Sequence, residues 1–402
     1  MSDPPPLRRN RDFQLLWSGQ LVSTLGSWIS AVALPLLVLD LTGAPFDAGL
    51  VRFMATLPLL VLYLPAGAVV DRYDRRRVML FTEGGRLLAI GSLALAIIIG
   101  APTLAHVLIV AAIAGCCATF FQVAELAAVP RLVPRPQLPA ALAQNAARAY
   151  VGIIGGQTAG GLLYAIGRAV PFIVDCATYL ISFVSVALIR TPMQEPTGTT
   201  PRGGSIREGM TWLWGNRFLR TVMLLWAGNN IVVNSLYLAL IVAARDLGST
   251  PQEIGVMLAC IGVGGLAGSA AAAELGRRLS FRAVVLLLLG VKAVLTPLLI
   301  FMPNALALGV VLGAMFFIDA TGGAVIGARQ LAAIPDHLQG RVNGAIYQVT
   351  LGSVPLASLV VGALLQSWGP NATILVLAAV MIATTIAALA SPVIRVPPAA
   401  SA

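Results

Sequence analysis

The sequence predicts an all-α membrane protein: twelve transmembrane helices in two pseudo-symmetric six-helix bundles, with both termini on the cytoplasmic side. Three observations predict it. The 402-residue chain is 58% apolar and only 10% charged, with a mean hydropathy of +0.89, against about 45–50% apolar and about 25% charged in ordinary soluble domains. Its apolar residues fall into twelve runs, each near the roughly 20 residues that a helix needs to cross a hydrocarbon core about 30 Å thick. Its arginines fall in the polar breaks between those runs, almost all on alternate breaks.

The runs cover 13–39, 49–70, 78–100, 104–129, 141–166 and 170–189 in the first half, and 218–243, 252–273, 283–301, 305–333, 342–366 and 372–390 in the second. Counting from the N-terminus, alternate breaks carry Arg8, Arg9 and Arg11, then Arg72 to Arg77, Arg131 and Arg135, Arg190 to Arg220, Arg277, Arg278 and Arg282, and finally Arg341 and Arg395. The opposite breaks hold only Arg168 and Arg245, with tight turns such as Ala101-Pro102-Thr103 and Met302-Pro303-Asn304. The excess of arginine assigns the first set to the cytoplasm, and both termini with it. The densest charge lies in Gly67-Ala68-Val69-Val70-Asp71-Arg72-Tyr73-Asp74-Arg75-Arg76-Arg77, between runs two and three. Hydrocarbon cannot hold such a segment, so it is a short inner turn.

These arginines also account for the net charge of +10 and the pI near 10.2, so no nucleic-acid surface is expected. Cys116, Cys117, Cys176 and Cys260 all lie in apolar runs without ligand spacing, and His106 and His337 are far apart. Neither a metal site nor a catalytic triad has much to draw on, and no Gly-x-x-x-x-Gly-Lys phosphate loop occurs. Met1 to Asp12 is a polar Pro/Arg segment ahead of a full-length run, unlike a cleavable signal. The expected partners are a lipid bilayer and a small molecule, with no nucleic acid and no bound cofactor, and the chain reads as a monomer.

The longest hydrophilic stretch divides the chain into 1–190, a 191–216 linker and 217–402. Its first part, Thr191-Pro192-Met193-Gln194-Glu195-Pro196-Thr197-Gly198, is helix-breaking and polar. Its second part places Ile206, Met210, Leu213 and Trp214 at helical spacing against Arg207 and Glu208, as in an amphipathic helix at a membrane surface. The halves echo each other. Asn10-Arg11 and Trp17-Ser18-Gly19-Gln20 return as Asn216-Arg217 and Trp226-Ala227-Gly228-Asn229; Gly160 and Gly167 return as Gly362 and Gly369; the charged turn returns as Glu274-Leu275-Gly276-Arg277-Arg278. Several echoes in one order argue for a duplicated six-helix unit with a substrate path between the halves, as in many secondary transporters.

The pattern Gly67-x-x-x-Asp71-Arg72-x-x-Arg75-Arg76 resembles the signature of the second-to-third-helix loop in the major facilitator superfamily. Trp28 to Pro35, Leu39 to Gly43, Pro130 to Pro134 and Gly340-Arg341-Val342-Asn343 are similar as well. Over essentially the whole chain the text resembles the bacterial exporter branch that includes macrolide efflux proteins and the enterobactin exporter. Asp74 stands where many members have glycine, an acidic variant that also occurs in this branch. The resemblance implies the major facilitator fold in the cell membrane. It also implies export of a small amphipathic molecule (drug, secondary metabolite or siderophore-like) by alternating access, with a proton gradient as energy source. An importer or lipid flippase of the same fold is the alternative. A polytopic membrane enzyme or sensor is the remote one, since clustered His, Cys or carboxylates are missing.

The loop invites two accounts. One is topological anchoring alone. The other, implied also by the resemblance, is a conformational latch of Gly67, Asp71, Arg72, Arg75 and Arg76, with Glu274 and Arg278 as worn counterparts. A carboxylate such as Asp71 at a helix N-terminus contributes about 0.3–1 kcal/mol when exposed. Substituting Arg75 should be milder than substituting Asp71, because Arg72, Arg76 and Arg77 neighbour it.

In run five, Gly152-x-x-x-Gly156-Gln157-x-x-Gly160-Gly161 resembles the antiporter element of the superfamily, with Gln157 in place of proline. Physically it is a smooth seam for close helix contact, which plain packing also explains. Proline does occur in run eleven, at Pro355. Charges inside the runs mark pathways by default: Glu125, Arg148, Asp175, Lys292, Asp319 and Arg329. Glu125 and Arg329 can equally snorkel, and Asp40, Asp47 and Arg52 at the outer ends can equally form interfacial pairs. Asp175 and Asp319 are the best proton-carrier candidates because hydrocarbon disfavours the charged form. Arg148 is the candidate partner, Glu125 and Asp40 follow, and a static buried pair is the competing account. Run four lacks the arginine that usually couples protons in the superfamily.

Overall fold

A computed structural model describes residues 7–194, 206–335 and 338–395, and every regular element among them is helical. A helix bonds every backbone group within its own segment, which hydrocarbon demands. In order the helices are α1 (Arg11–Thr42), α2 (Pro45–Arg72), α3 (Arg75–Ile98), α4 (Leu104–Leu132), α5 (Leu138–Ile166), α6 (Val170–Ala187), α7 (Ile206–Gly215), α8 (Arg217–Asp246), α9 (Pro251–Arg278), α10 (Phe281–Leu298), α11 (Ala305–Ala332), α12 (Gln339–Ala390) and the one-turn α13 (Pro392–Arg395).

Local chemistry sets the ends. The side chains of Asn10, Asp74, Thr103, Asn216 and Ser280 cap α1, α3, α4, α8 and α10 by accepting a first-turn N–H. Thr250 and Glu253 form a reciprocal capping box at α9. Gly43 ends α1 with φ +66 and its N–H on the Leu39 carbonyl.

Among the described residues eleven helices are long and apolar enough to cross a membrane. Runs eleven and twelve appear as the single 52-residue α12. At about 1.5 Å per residue its 52 residues amount to roughly 78 Å of helix, more than twice a hydrocarbon core. It breaks at Gly369 (φ +74, ψ 177), a conformation that favours glycine, and Pro370 opens the second part, where an N–H has no intrahelical acceptor. The linker residues 195–205 and His337 lie outside the described residues. The amphipathic segment is helical as α7, with Leu213 buried and Trp214 exposed; the side chains of Ile206, Arg207 and Glu208 lie outside the described set.

The chain divides into two compact units, Met1–Thr199 with Thr250–Ala259, and Thr200–Ser249 with Cys260–Ala402. In the first, α1 packs on α5 and α6, α2 on α4, and α3 on α4 and α6. Phe13, Leu16, Met79, Phe121, Val129, Ile189 and Met193 close one end of it as an apolar cluster. In the second, α8 and α10 pack on α12. There α9 meets α11 with backbones close enough that a Cβ at Gly264 or Gly268 would strike the carbonyl of Gly313 or Phe317. The echo in sequence is an echo in role: Asn10 and Asn216 accept from the third following N–H at the same 3.1 Å.

Candidate functional site

The charged turn between α2 and α3 is tied to its own unit. Arg75 donates from Nη1 to the carbonyls of Ala127 (2.8 Å) and Met193 (3.0 Å), and its N–H reaches Gln194 Oε1 at 3.2 Å. Arg76 donates from Nε to the Val186 carbonyl at 3.2 Å and from Nη2 to the Ala187 carbonyl at the C-terminal end of α6, where cations are favoured. Arg75 and Arg76 therefore hold different acceptors and are not interchangeable. Asp74 caps α3 through the Arg77 N–H at 3.0 Å, which gives the acid at this position a local use. Asp71 is exposed, with its carbonyl accepting from Gln194 Nε2 at 2.8 Å. Arg72 lies 6.0 Å from the centre of the Tyr73 ring. A Cβ on Gly67 would meet nothing within 4 Å. In the second unit Glu274 pairs locally with Arg277 and with Arg278 (2.5 Å), all well exposed.

The α5 glycines form a seam on α1. A Cβ at Gly152 would sit 2.5 Å from Thr24 Cγ2, at Gly156 2.5 Å from Trp28 Cβ and 2.6 Å from the Leu25 oxygen, and at Gly160 2.9 Å from the Ile29 oxygen. Gly161 lies against Gly255 in the first turns of α9, which group with the same unit. Gln157 is fully buried, and neither its Oε1 nor its Nε2 finds a hydrogen-bond partner among the described residues.

The densest chemistry is a buried polar cluster between α1, α3 and α6. Asp175 is fully buried; Ser30 Oγ donates to its Oδ2, and Thr178 Oγ1 lies 3.2 Å from its Oδ1. A Cβ at Gly26 would strike both Asp175 and Thr178, so glycine makes room for the carboxylate. One turn below, Arg86 stacks 4.2 Å over the Tyr179 ring and donates from Nη2 to Ser27 Oγ at 2.7 Å. Glu83, also fully buried, accepts at Oε1 from Ser182 (2.9 Å), Gln20 Nε2 (3.2 Å) and Ser23 Oγ (3.4 Å). Gln20 Nε2 also reaches Ser182 Oγ at 2.8 Å.

The second unit holds a smaller counterpart. Lys292 of α10 is fully buried, forms an ion pair with Asp319 of α11 and donates to Asn229 Oδ1 of α8 at 2.6 Å. Asn229 Nδ2 donates to Asp319 Oδ1 at 3.1 Å. Gln20 and Asn229 hold corresponding places in the two Trp-x-Gly-amide echoes. Arg86 and Lys292 are separated in sequence by the same interval as Asn10 and Asn216.

Asp175 and Asp319 thus lie in separate units with separate partners. Arg148, the candidate partner for either, is instead paired with Glu125 at 2.7 Å, both largely buried. The contact joins a cation on α5 to an acid on α4 and leaves the Arg148 Nε and Nη1 buried without a hydrogen-bond partner among the described residues. Asp40 accepts from the Tyr164 hydroxyl at 2.7 Å and pairs with the exposed Arg168 at 3.4 Å. Arg52 belongs to the first turns of α2, where Thr56 Oγ1 donates to its carbonyl at 2.8 Å. Arg329 lies 5.9 Å from the Phe281 ring centre. Sequence reasoning passed over Glu83 and Arg86, although two charges three apart inside the third apolar run put both on one helix face. The four cysteines form no disulfide, and no group of three metal-ligating side chains occurs among the described residues.

Comparison with known proteins follows the same lines. The family model for transmembrane secretion effectors matches residues 2–402. The multidrug efflux pump Tap of Mycolicibacterium fortuitum is 28% identical over 400 residues, covering 95% of this chain and 96% of the pump. Macrolide efflux protein A of Streptococcus pyogenes is 26% identical over 221 residues, 53% of each chain. Among solved structures, a bacterial homologue of the iron transporter ferroportin in an inward-facing state superposes with a TM-score of 0.75 at 15% identity, covering 94% of this chain and 98% of that one. The nucleoside transporter NupG gives 0.74 at 11% identity, covering 95% and 99%.

Proposed function

The chain belongs to the transmembrane secretion effectors of the major facilitator superfamily, a multi-pass cell-membrane efflux transporter and not an enzyme, and we propose that it exports small amphipathic molecules by alternating access in exchange for protons. The charged turn between α2 and α3 then faces the cytoplasm, with both termini, and one polypeptide suffices. The named activities of Tap and macrolide efflux protein A support amphipathic antimicrobial compounds as the substrate class.

One observation carries the proton: Asp175 is an acid buried in a membrane helix whose direct partners are hydroxyls, not a cation. A carboxyl held by hydroxyls can exist in either protonation state, because a hydroxyl both donates and accepts. An ionised acid at that depth costs several kcal/mol without a partner, so loading and unloading its proton shifts the balance between two states.

The test uses cells and everted vesicles. Expression in an efflux-deficient host should raise tolerance to a panel of amphipathic antibiotics. Everted vesicles should accumulate the tolerated compound when a pH gradient is imposed and lose it when nigericin collapses the gradient. Asp175→Asn should abolish gradient-driven accumulation and leave downhill exchange in place; retention of gradient-driven accumulation refutes the assignment.

A further inference from the structure

Charge counting separates the two buried clusters. In the second unit one carboxylate, Asp319, faces one ammonium, Lys292, and the pair is balanced. In the first unit two buried carboxylates, Glu83 and Asp175, surround a single guanidinium, Arg86. What else faces them does not alter the count. From α1 come Gln20, Ser23, Ser27 and Ser30; from α6 the Tyr179 phenol and the Cys176 thiol; from α4 the Cys117 thiol beside Arg86. Phenols and thiols are ordinarily neutral at pH 7. Arg148, a cation of the same unit, is engaged by Glu125. With every acid ionised the cluster would carry one uncompensated negative charge in hydrocarbon.

A second observation points the same way. Glu83 Oε2 and Arg86 Nε are both buried without a hydrogen-bond partner, although the two residues are one turn apart on α3. The cluster thus leaves one acceptor and one donor unused. Glu83 Oε1 faces one donor that cannot reverse, Gln20 Nε2, beside the hydroxyls of Ser182 and Ser23, whereas Ser30 and Thr178, the partners of Asp175, are both hydroxyls that can reverse direction.

We propose that Glu83, Arg86 and Asp175 form a single one-proton site, in which the two carboxyls share one proton and Arg86 balances the other. This rests on the proton-exchange reading above and adds the stoichiometry and two residues to it. In the described conformation the O–H bond is on Asp175, and Glu83 is the ionised partner of Arg86. Transfer of the proton to a water that reaches the cluster breaks that O–H bond and forms a hydronium. It leaves both acids competing for one guanidinium, a state favoured only where water or a substrate cation stabilises the second carboxylate. Groups coupled this tightly titrate as a pair, not as separate residues.

Infrared difference titration of the purified full-length chain, without substrate or gradient, reads the carbonyl stretch of a protonated carboxylic acid. The wild type should show one pH-dependent buried carboxylic acid per chain. Glu83→Gln and Asp175→Asn should each abolish it, because either leaves one acid against one guanidinium. Arg86→Met should double it, and the charge-balanced pair Asp319→Asn/Lys292→Met should leave it unchanged. Loss in only one of the two acid variants, no change with Arg86→Met, or loss with Asp319→Asn/Lys292→Met overturns the shared site. If variants fail to fold, the wild-type spectrum still decides: absence of the band overturns the proposal. Absence of the band with intact pH-driven export refutes this site alone, whereas the band in a chain that exports nothing refutes the transport reading alone.

Discussion

Gly156→Ala tests the α5 seam in quantitative terms. The new methyl group would lie 2.5 Å from Trp28 Cβ and 2.6 Å from the Leu25 carbonyl oxygen. The second of these is backbone and cannot rotate away. Restoring ordinary contact requires α5 to move from α1 by roughly 1 Å, and forcing such volume into a packed interface costs about 1–3 kcal/mol. Alanine recovers about 0.8–1 kcal/mol of helix propensity over glycine. The net expectation is a loss of up to about 2 kcal/mol, as much as a thirtyfold fall in the folded-to-unfolded ratio. Gly290→Ala supplies the control, because a Cβ there meets nothing within 4 Å; it should be neutral or stabilising by the propensity difference alone. The assay is thermal unfolding of the detergent-solubilised chain, with both variants beside the wild type. If Gly156→Ala is as stable as Gly290→Ala, the seam is not close-packed and the reasoning fails.

Arg75→Ala removes two hydrogen bonds from a charged donor, each worth about 1.5–3 kcal/mol, so its thermal stability should fall clearly below that of Arg77→Ala; equal melting temperatures would sink the idea that Arg75 pins α4 and the segment after α6. Asp71→Asn should insert and fold like the wild type yet transport poorly, because the exposed charge and not the shape is what a latch uses; normal export at normal expression counts against a latch. Asp319→Asn strands Lys292, and breaking a buried pair typically costs about 3–5 kcal/mol; membrane yield should collapse and recover in Asp319→Asn/Lys292→Met, and failure of that rescue points to a role beyond charge balance.

The sequence by itself determined the class, the span positions and the family. Hydrocarbon permits so few backbone solutions that twenty apolar residues in a row already mean a helix. The arginine turn and the α5 glycines were legible as features, since charge density and small residues at fixed spacing show in the order of residues alone. What the tertiary structure decided was pairing. Nothing in the order of residues tells Arg148 to choose Glu125, or joins Glu83, Arg86 and Asp175 across α1, α3 and α6. It also decided that Arg75 and Arg76, adjacent in sequence, reach different helices. The physical reason is range: propensity and hydrophobicity act along a few residues of chain, whereas an ion's partner is fixed by which helix faces pack together.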